Sequence, residues 1–470
     1  MINFRLHAGI QIAALFFAGL ASHAETAPLP NIVIVSIDTL RADHCSVYGY
    51  PRNTTPTLTK LASEGALFNQ AYAPMGQTGP SHATLFTGLY PTGHGLVKNG
   101  RVLPETHSTL AEQLKAKGYS TAAFVSAFPL DRRFGLDRGF DVYNDIFPLG
   151  QQTVEIQQWE GQALTNAFDR RGDYTLVKAA EWLGRRPDDA PPFFLFVHLF
   201  DPHTPYKPPR VVLQEVVGQE RPKDQLKMSK LLYDGEVRFA DLIVEKLLYR
   251  LETLGFGENT IIVITSDHGE GLMQRGYLLH GITVHEEEVR VPLLIHWPGH
   301  IPAGRKVEEP VTIADVMPTL LGLIESGTDS PDVEGRDLAA ALREGKPAPA
   351  DRPILFMRPK FPKTTIASGW SGTLSDGQTP PRIPVHGAHY GARLDVWKYI
   401  VSPKEGTTAL YNLQADPNEL TNVADRHASI AKLMHRHIDQ WLANAPAESM
   451  AEELLDEETL KALEALGYTN

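Results

Sequence analysis

The stretch Ile32-Val33-Ile34-Val35-Ser36-Ile37-Asp38 decides the architecture. It is a short, nearly unbroken apolar run that stops at an acid. A strand with one wet face alternates polar and apolar residues. A run without alternation reads as a strand buried on both faces, which points to a parallel sheet. Three runs of the same kind follow: Phe193-Phe194-Leu195-Phe196-Val197, Ile261-Ile262-Val263-Ile264 and Val291-Pro292-Leu293-Leu294-Ile295. Helical patterns lie between them, over Thr57 to Gly65, Leu110 to Gly118 and Tyr233 to Leu254. Strands alternating with helices predict an α/β domain with a large, mostly parallel central sheet flanked by helices.

Gln151 to Ala190 and Lys207 to Lys230 show no clear periodicity and read as insertions. Pro202 to Pro209 holds four prolines and reads as an extended loop. Beyond residue 350 the texture turns Pro/Gly-rich with short strand-like pieces such as Val396 to Val401. The expected layout is a catalytic domain over 25–350, a smaller C-terminal α+β subdomain over 351–430, and a helical tail over 431–470. That tail ends in an amphipathic stretch from Glu448 to Tyr468. No internal repeat is visible.

Residues 1–24 read as a cleaved signal peptide. Arg5 precedes a mostly apolar run from Ala8 to Leu20, and Ser22-His23-Ala24 supplies small residues at −3 and −1. The run is shorter than the ~20 residues a membrane helix needs, and no later stretch is long and apolar enough to be one. The expected address is the periplasm or outside the cell. With 42% hydrophobic and 21% charged residues, the 470-residue chain is an ordinary globular protein with ample material for a core. A net charge of −12 with no Lys/Arg block excludes a general nucleic-acid-binding role. Cys45 is the only cysteine, which leaves no intrachain disulfide and no cysteine-rich metal site.

Three of the apolar runs end in metal-ligand residue types: Asp38 after the first, Asp201 and His203 after the second, Asp267 and His268 after the third. An isolated Asp after a strand often caps a turn. In open α/β sheets, however, ligands bind outside the carboxyl ends of the strands, so these residues are expected to converge on one crevice. Carboxylate and imidazole together suit zinc, manganese or iron; magnesium or calcium is favoured where oxygen dominates. The segment Gln77-Thr78-Gly79-Pro80-Ser81-His82-Ala83-Thr84-Leu85-Phe86-Thr87-Gly88 predicts a short helix beginning just after Thr78 and stopping at Gly88. The Thr78 hydroxyl and Gly79 N–H would then sit at a helix N-terminus, where an anion is favoured. A plain N-cap role for Thr78 fits the same local sequence.

Together these motifs resemble the sulfatase family of the alkaline phosphatase superfamily. The matching stretches are Asp38-Thr39-Leu40-Arg41-Ala42-Asp43, Thr78 to Gly88, Asp201-Pro202-His203-Thr204-Pro205-Tyr206, and Thr265-Ser266-Asp267-His268-Gly269-Glu270. They continue with His280-Gly281, Arg290-Val291-Pro292-Leu293, and Leu410-Tyr411-Asn412-Leu413 followed by Asp416-Pro417. They occur in the family's order over roughly Asn31 to Asn422. The resemblance implies a phosphatase-like α/β core with a small C-terminal sheet, and makes Thr78 the nucleophile.

The departures from that family are informative. Family sulfatases convert a Cys or Ser in Cys/Ser-x-Pro-Ser-Arg to formylglycine. Here Thr78 holds that position and His82 that of the arginine. No formylglycine is expected, because the Cβ of threonine carries a methyl group. Where the family places Gly-Lys-Trp-His, this chain has Ala123-Phe124-Val125-Ser126-Ala127; Asp38 is followed by Thr39, and Asp267 by His268. These changes point toward the superfamily's metal-dependent threonine phosphoesterases. A threonine hydroxyl needs activation to attack. Zinc lowers the pKa of bound water from about 16 to about 7, roughly 12 kcal/mol.

The implied ligand sets are Asp38, Thr78, Asp267 and His268 for one divalent ion, and Asp201, His203 and His280 for a second. Zinc or manganese is favoured, with calcium or magnesium as alternatives. The tight Asp201-Pro202-His203 spacing is the weak point of the second set. His82, Lys98 and Asn99 are candidate substrate contacts, and His198, inside a strand, reads as a packing or supporting residue. The expected activity is hydrolysis of phosphate or phosphonate esters of a small molecule, glycan or lipid. The alternatives are sulfuric ester hydrolysis without formylglycine and a catalytically silent binding relative.

Overall fold

The computed structural model describes residues 28–153, 167–324, 333–360, 387–445 and 455–465, with the backbone of 158–159, 162–163, 365–366 and 384–385. Eight strands build the central sheet: β1 (Asn31–Ile37), β2 (Ala66–Phe68), β3 (Ser120–Phe124), β4 (Val142–Asn144), β5 (Phe193–Leu199), β6 (Thr260–Thr265), β7 (Leu293–His296) and β8 (Arg305–Val307). Their spatial order is β8-β2-β7-β6-β1-β5-β3-β4. The helices that frame the site are α1 (Pro56–Glu64), α2 (Thr78–Thr87), α3 (Leu110–Ala116), α4 (Gly172–Gly184), α5 (Arg210–Val217) and α6 (Gln225–Thr253).

The unbroken apolar run of β1 has the environment it demands. Ile32 and Ile34 join the core that holds Phe86 of α2 and Leu110 and Leu114 of α3. Val33, Val35 and Ile37 join the opposite core with Leu58 of α1, Ala179 of α4 and Val237 and Ile243 of α6. Because β1 lies parallel to both β5 and β6, their carboxyl ends open on the same edge.

Two sequence expectations are corrected. Val291 to Ile295 is not one parallel strand: it divides at Pro292, and β7 runs antiparallel to both β6 and β2. An apolar run specifies burial but not direction. The two supposed insertions each contain helix. In α4 the buried residues Thr175, Leu176, Ala179 and Leu183 form one face, a short pattern flanked by Arg, Asp and Pro. Likewise α5 occupies part of the second insertion, and α6 starts at Gln225 rather than near Tyr233, with Asp224 capping the Lys227 N–H.

The C-terminal sheet consists of β9 (Ile354–Arg358), β10 (His389–Leu394), β11 (Trp397–Ser402) and β12 (Thr407–Asn412), antiparallel in that order. Helix α7 (Ala428–Ala443) lays Met434, Ile438 and Trp441 on it. Several bonds fasten the sheet to the core, among them the Arg393 guanidinium donating to the Tyr72 hydroxyl at 2.8 Å. The Met357 N–H donates to the Pro74 carbonyl at 2.9 Å, on the approach to Thr78. Lys398, fully buried, lies 2.9 Å from Glu286 and 3.0 Å from Glu419. A last helix, α8 (Glu457–Ala465), buries Ala462 and Leu463 in the core. It covers Gly100, which has φ +87° and whose absent Cβ would meet Leu463 Cδ1 at 2.9 Å.

The expected signal peptide, and residues 446–454 and 466–470 of the expected tail, lie outside the described residues. Among those described, no helix is long and apolar enough to cross a membrane.

Lys398→Met should lower the free energy of unfolding by about 3–5 kcal/mol, because it strands buried carboxylates without their cation. Urea denaturation followed by circular dichroism reads this directly, and an unchanged midpoint would mean that the cluster contributes no net stability.

Candidate active site

Asp38 leaves the end of β1, and Asp267 and His268 leave the end of β6. Helix α2 brings Thr78 to the same point. Gln77 is extended and α2 begins at Thr78 itself; Gly88, at φ 68°, ends the helix in the left-handed conformation a glycine adopts freely. The Thr78 Oγ1 lies 3.5 Å from Asp38 Oδ2. His268 Nε2 lies 3.4 Å from Asp267 Oδ2 and 3.9 Å from Asp38 Oδ1. One ligand atom from each of Asp38, Asp267 and His268 falls within 4.8 Å of the other two.

The hydrogen-bonding pattern shows what this cluster lacks. His268 Nδ1 donates to the Gly269 carbonyl at 2.9 Å and Nε2 faces the two carboxylates, whose charge raises the pKa of the ring against its burial. Asp38 Oδ1, Asp267 Oδ2 and His268 Nε2 are all buried without a hydrogen-bond partner. Three converging acceptors in a dry pocket repel one another unless a proton or cation stands between them. Burial, reinforced by Asp267, raises the Asp38 carboxyl well above the usual carboxylate range. Burial alone would raise Asp267 too, but the imidazoles of His268, His82 and His198 outweigh it and hold Asp267 low. One nitrogen and two carboxylate donors, with a hydroxyl beside them, fit a divalent ion of the zinc or manganese type.

Thr39, at φ 55°, is an uncommon conformation for a β-branched residue. It is held there by Tyr233, whose hydroxyl donates to the Thr39 carbonyl at 2.7 Å, and by its own N–H to Asp267 Oδ1 at 3.3 Å. Strain of this kind, about 1–3 kcal/mol, concentrates at functional sites.

His203 and His280 lie alongside, with ring centroids 5.0 Å apart, and His280 is 4.4 Å from His268. His280 Nδ1 is 3.2 Å from Glu270 Oε1, and the Tyr206 hydroxyl donates to Glu270 Oε2 at 3.2 Å. Burial pushes the Glu270 carboxyl up to about 7. The sequence motif that contains Glu270 does not by itself assign it a role. An acid two residues beyond a ligand-type histidine was the available signal.

Three expectations are corrected. Asp201 faces away: its Oδ2 accepts the Gly172 N–H at 2.7 Å, and burial raises it to about 6. Its neighbour Glu236 is pushed to about 9 by burial and by Asp201. Asp201, His203 and His280 therefore do not form a three-ligand group; among the described residues the only other such group is His82, His198 and Asp267. His82 is not open to substrate. Its Nδ1 donates to the Thr78 carbonyl at 2.7 Å and its Nε2 accepts from Ser36 Oγ at 2.9 Å, which also removes it as a ligand. The Gly79 N–H is not open to an anion, because it donates to Asn99 Oδ1 at 2.8 Å. Asn99 thus borders the turn that carries Thr78, with its Nδ2 buried and unpartnered; Lys98 beside it is half-buried.

A family model described as Sulfatase matches residues 30–326. The chain belongs to the sulfatase family. It is 30% identical to an ulvan-active sulfatase of Formosa agariphila over 70% of this chain and 68% of that protein. It is 25% identical to an arylsulfatase of Clostridium perfringens over 84% and 90% of the two chains. A phosphonate monoester hydrolase of Agrobacterium radiobacter shares the fold, with a TM-score of 0.67 and 21% identity over 91% of this chain and 98% of that one. The protein is accordingly a hydrolase of sulfuric or phosphoric esters.

Metal binding should release protons. Burial and Asp267 raise the Asp38 carboxyl, and a carboxylate must be ionised to hold a cation, so affinity for Zn²⁺ or Mn²⁺ should rise with pH. Calorimetric titration of chelator-treated protein, in buffers of different ionisation enthalpy, measures both effects; a pH-independent affinity would contradict a raised Asp38 carboxyl.

Proposed function

We propose that this sulfatase-family protein hydrolyses phosphate or phosphonate esters, with Thr78 as nucleophile. The observation that carries the reading is the Thr78 hydroxyl at the N-terminus of α2, within reach of Asp38 and beside the unpartnered atoms of Asp38, Asp267 and His268. A divalent ion held by Asp38, Asp267, His268 and the Thr78 hydroxyl would acidify that hydroxyl and neutralise charge on the reacting phosphoryl group. Asp38 orients the hydroxyl through Oδ2. The Thr78 hydroxyl passes its proton to Asp38 Oδ2 as Oγ1 attacks phosphorus in line; the P–O ester bond breaks, the leaving oxygen takes up a proton from solvent, and water then cleaves the phosphothreonine. Asn99 offers Nδ2–H to a non-bridging oxygen, while its Oδ1 keeps the first turn of α2 in place.

A second reading is sulfuric ester hydrolysis by Thr78 without formylglycine. The 30% identity to an ulvan-active sulfatase supports it. The substrate class in either case is a small-molecule, glycan or lipid ester. The n-region, apolar run and Ser22-His23-Ala24 pattern support export to the periplasm or beyond.

Purified, metal-loaded protein assayed on aryl phosphate mono- and diesters, phosphonates and sulfates separates the two readings. Phosphoesters or phosphonates should be turned over fastest, and faster turnover of an aryl sulfate would reverse the assignment. Thr78→Ala should lower kcat by several orders of magnitude, since the attacking atom is gone. Near wild-type turnover in that variant would exclude Thr78 as nucleophile.

A further inference from the structure

His198 stands out in β5, where Phe193-Phe194-Leu195-Phe196-Val197 and Leu199 are apolar and every residue is buried. An imidazole in such a strand is costly unless its nitrogens have work to do. The Ser126 N–H points at His198 Nδ1 from 3.3 Å. A backbone N–H can only donate, so Nδ1 carries the lone pair and the single proton of the neutral ring is on Nε2. Nε2 lies 3.3 Å from Asp38 Oδ2. That approach falls short of hydrogen-bond geometry as it stands, and Nε2 has no other partner.

The proton placement also settles what His198 is not. A neutral histidine ligating through Nε2 must carry its proton on Nδ1, directly against the Ser126 N–H. His198 is therefore unsuited to be a metal ligand, although its ring lies near Asp267 and His82.

The frame that fixes this arrangement is continuous. The Ser126 hydroxyl donates to the His198 carbonyl at 2.6 Å and lies 2.7 Å from Thr175 Oγ1, which accepts from Arg170 Nε at 2.8 Å. The Arg170 N–H returns to the Ser126 carbonyl at 2.8 Å. The Arg170 guanidinium also donates to Asn144 Oδ1 and to the carbonyls of Asn144 and Ile146. Donors thus run in one direction from Arg170 through Thr175 and Ser126 to His198, and the serine backbone sets the histidine tautomer.

We propose that His198 is a positioning residue for Asp38, presenting Nε2–H to Oδ2 so that Oδ1 is turned toward the cation site, with Ser126 enforcing the required tautomer. This rests on Asp38 being a ligand, as argued above. Outer partners of this kind typically contribute 10–100-fold to metal affinity.

The test combines two readouts. Histidine-labelled ¹⁵N NMR of the wild type, with the His198 signals assigned by their loss in His198→Gln, should show Nδ1 unprotonated and Nε2 protonated; the opposite tautomer would overturn the proposal. Calorimetric titration with Mn²⁺ should show about 10–100-fold weaker binding in His198→Leu. Binding in His198→Gln, whose amide N–H can reach the same carboxylate, should stay within a few-fold of wild type. Equal affinity in the wild type and His198→Leu refutes the positioning role while leaving Asp38 a ligand. Failure of the wild type itself to bind Mn²⁺ refutes the metal reading, and the positioning role with it. If His198→Leu does not fold, the tautomer and the His198→Gln affinity still decide.

Discussion

Two carboxylates in a dry pocket, Asp38 and Asp267, are the constraint on which the rest of the site turns. Each leaves the end of a parallel strand, and β1 and β6 are hydrogen-bonded neighbours, so the sheet itself forces the two acids together. Among the described residues their ion-pair partners are histidines rather than a lysine or arginine. The protein surrounds the two acids with imidazoles, each held by a backbone or side-chain partner, and leaves a small set of buried side-chain atoms without a hydrogen-bond partner. Such a pocket gains stability when a cation enters and loses it when the cation leaves, so folding and loading are thermodynamically linked.

The supporting shell is unusually far-reaching for so compact a centre. Tyr233, on α6, pins the strained Thr39; Tyr206 and Glu270 hold His280; Asn99 ties the start of α2 to a distant loop. The buried Lys398 joins the C-terminal sheet to Glu286, in the segment that follows His280. The geometry of the cluster is thereby shared between the parallel sheet, which supplies Asp38, Asp267 and His268, helix α2, which supplies Thr78, and the later elements packed around them.

Much of this was legible in the sequence because burial leaves a strong trace. The apolar runs of β1, β5 and β6 and the acids that end them located both the sheet and the crevice. Direction left no such trace, so the antiparallel β7 was invisible in Val291 to Ile295. The face of α4 was obscured by the charged and proline residues around it. Side-chain orientation was the other limit. Asp201 has the right residue type at the right strand end, yet only Pro202 separates it from His203, and its carboxylate turns to Gly172. His82 lies one turn beyond Thr78, but that turn returns its ring to the helix carbonyl rather than to the crevice. His198 read as a supporting residue; its closeness to Asp38 appears only when β1 and β5 are set in register. Glu270 was visible within its motif, but nothing in one dimension said which histidine it would hold.

The packing of α8 on Gly100 has a consequence for the order in which the molecule is completed. Thr459 and Leu463 are among the last of the described residues to be synthesised, yet they close over the loop whose Asn99 braces the turn that carries Thr78. A chain that has laid down its whole sheet still lacks that lid on the loop. The loop that borders Thr78 is therefore covered by residues synthesised only after the sheet that defines the fold.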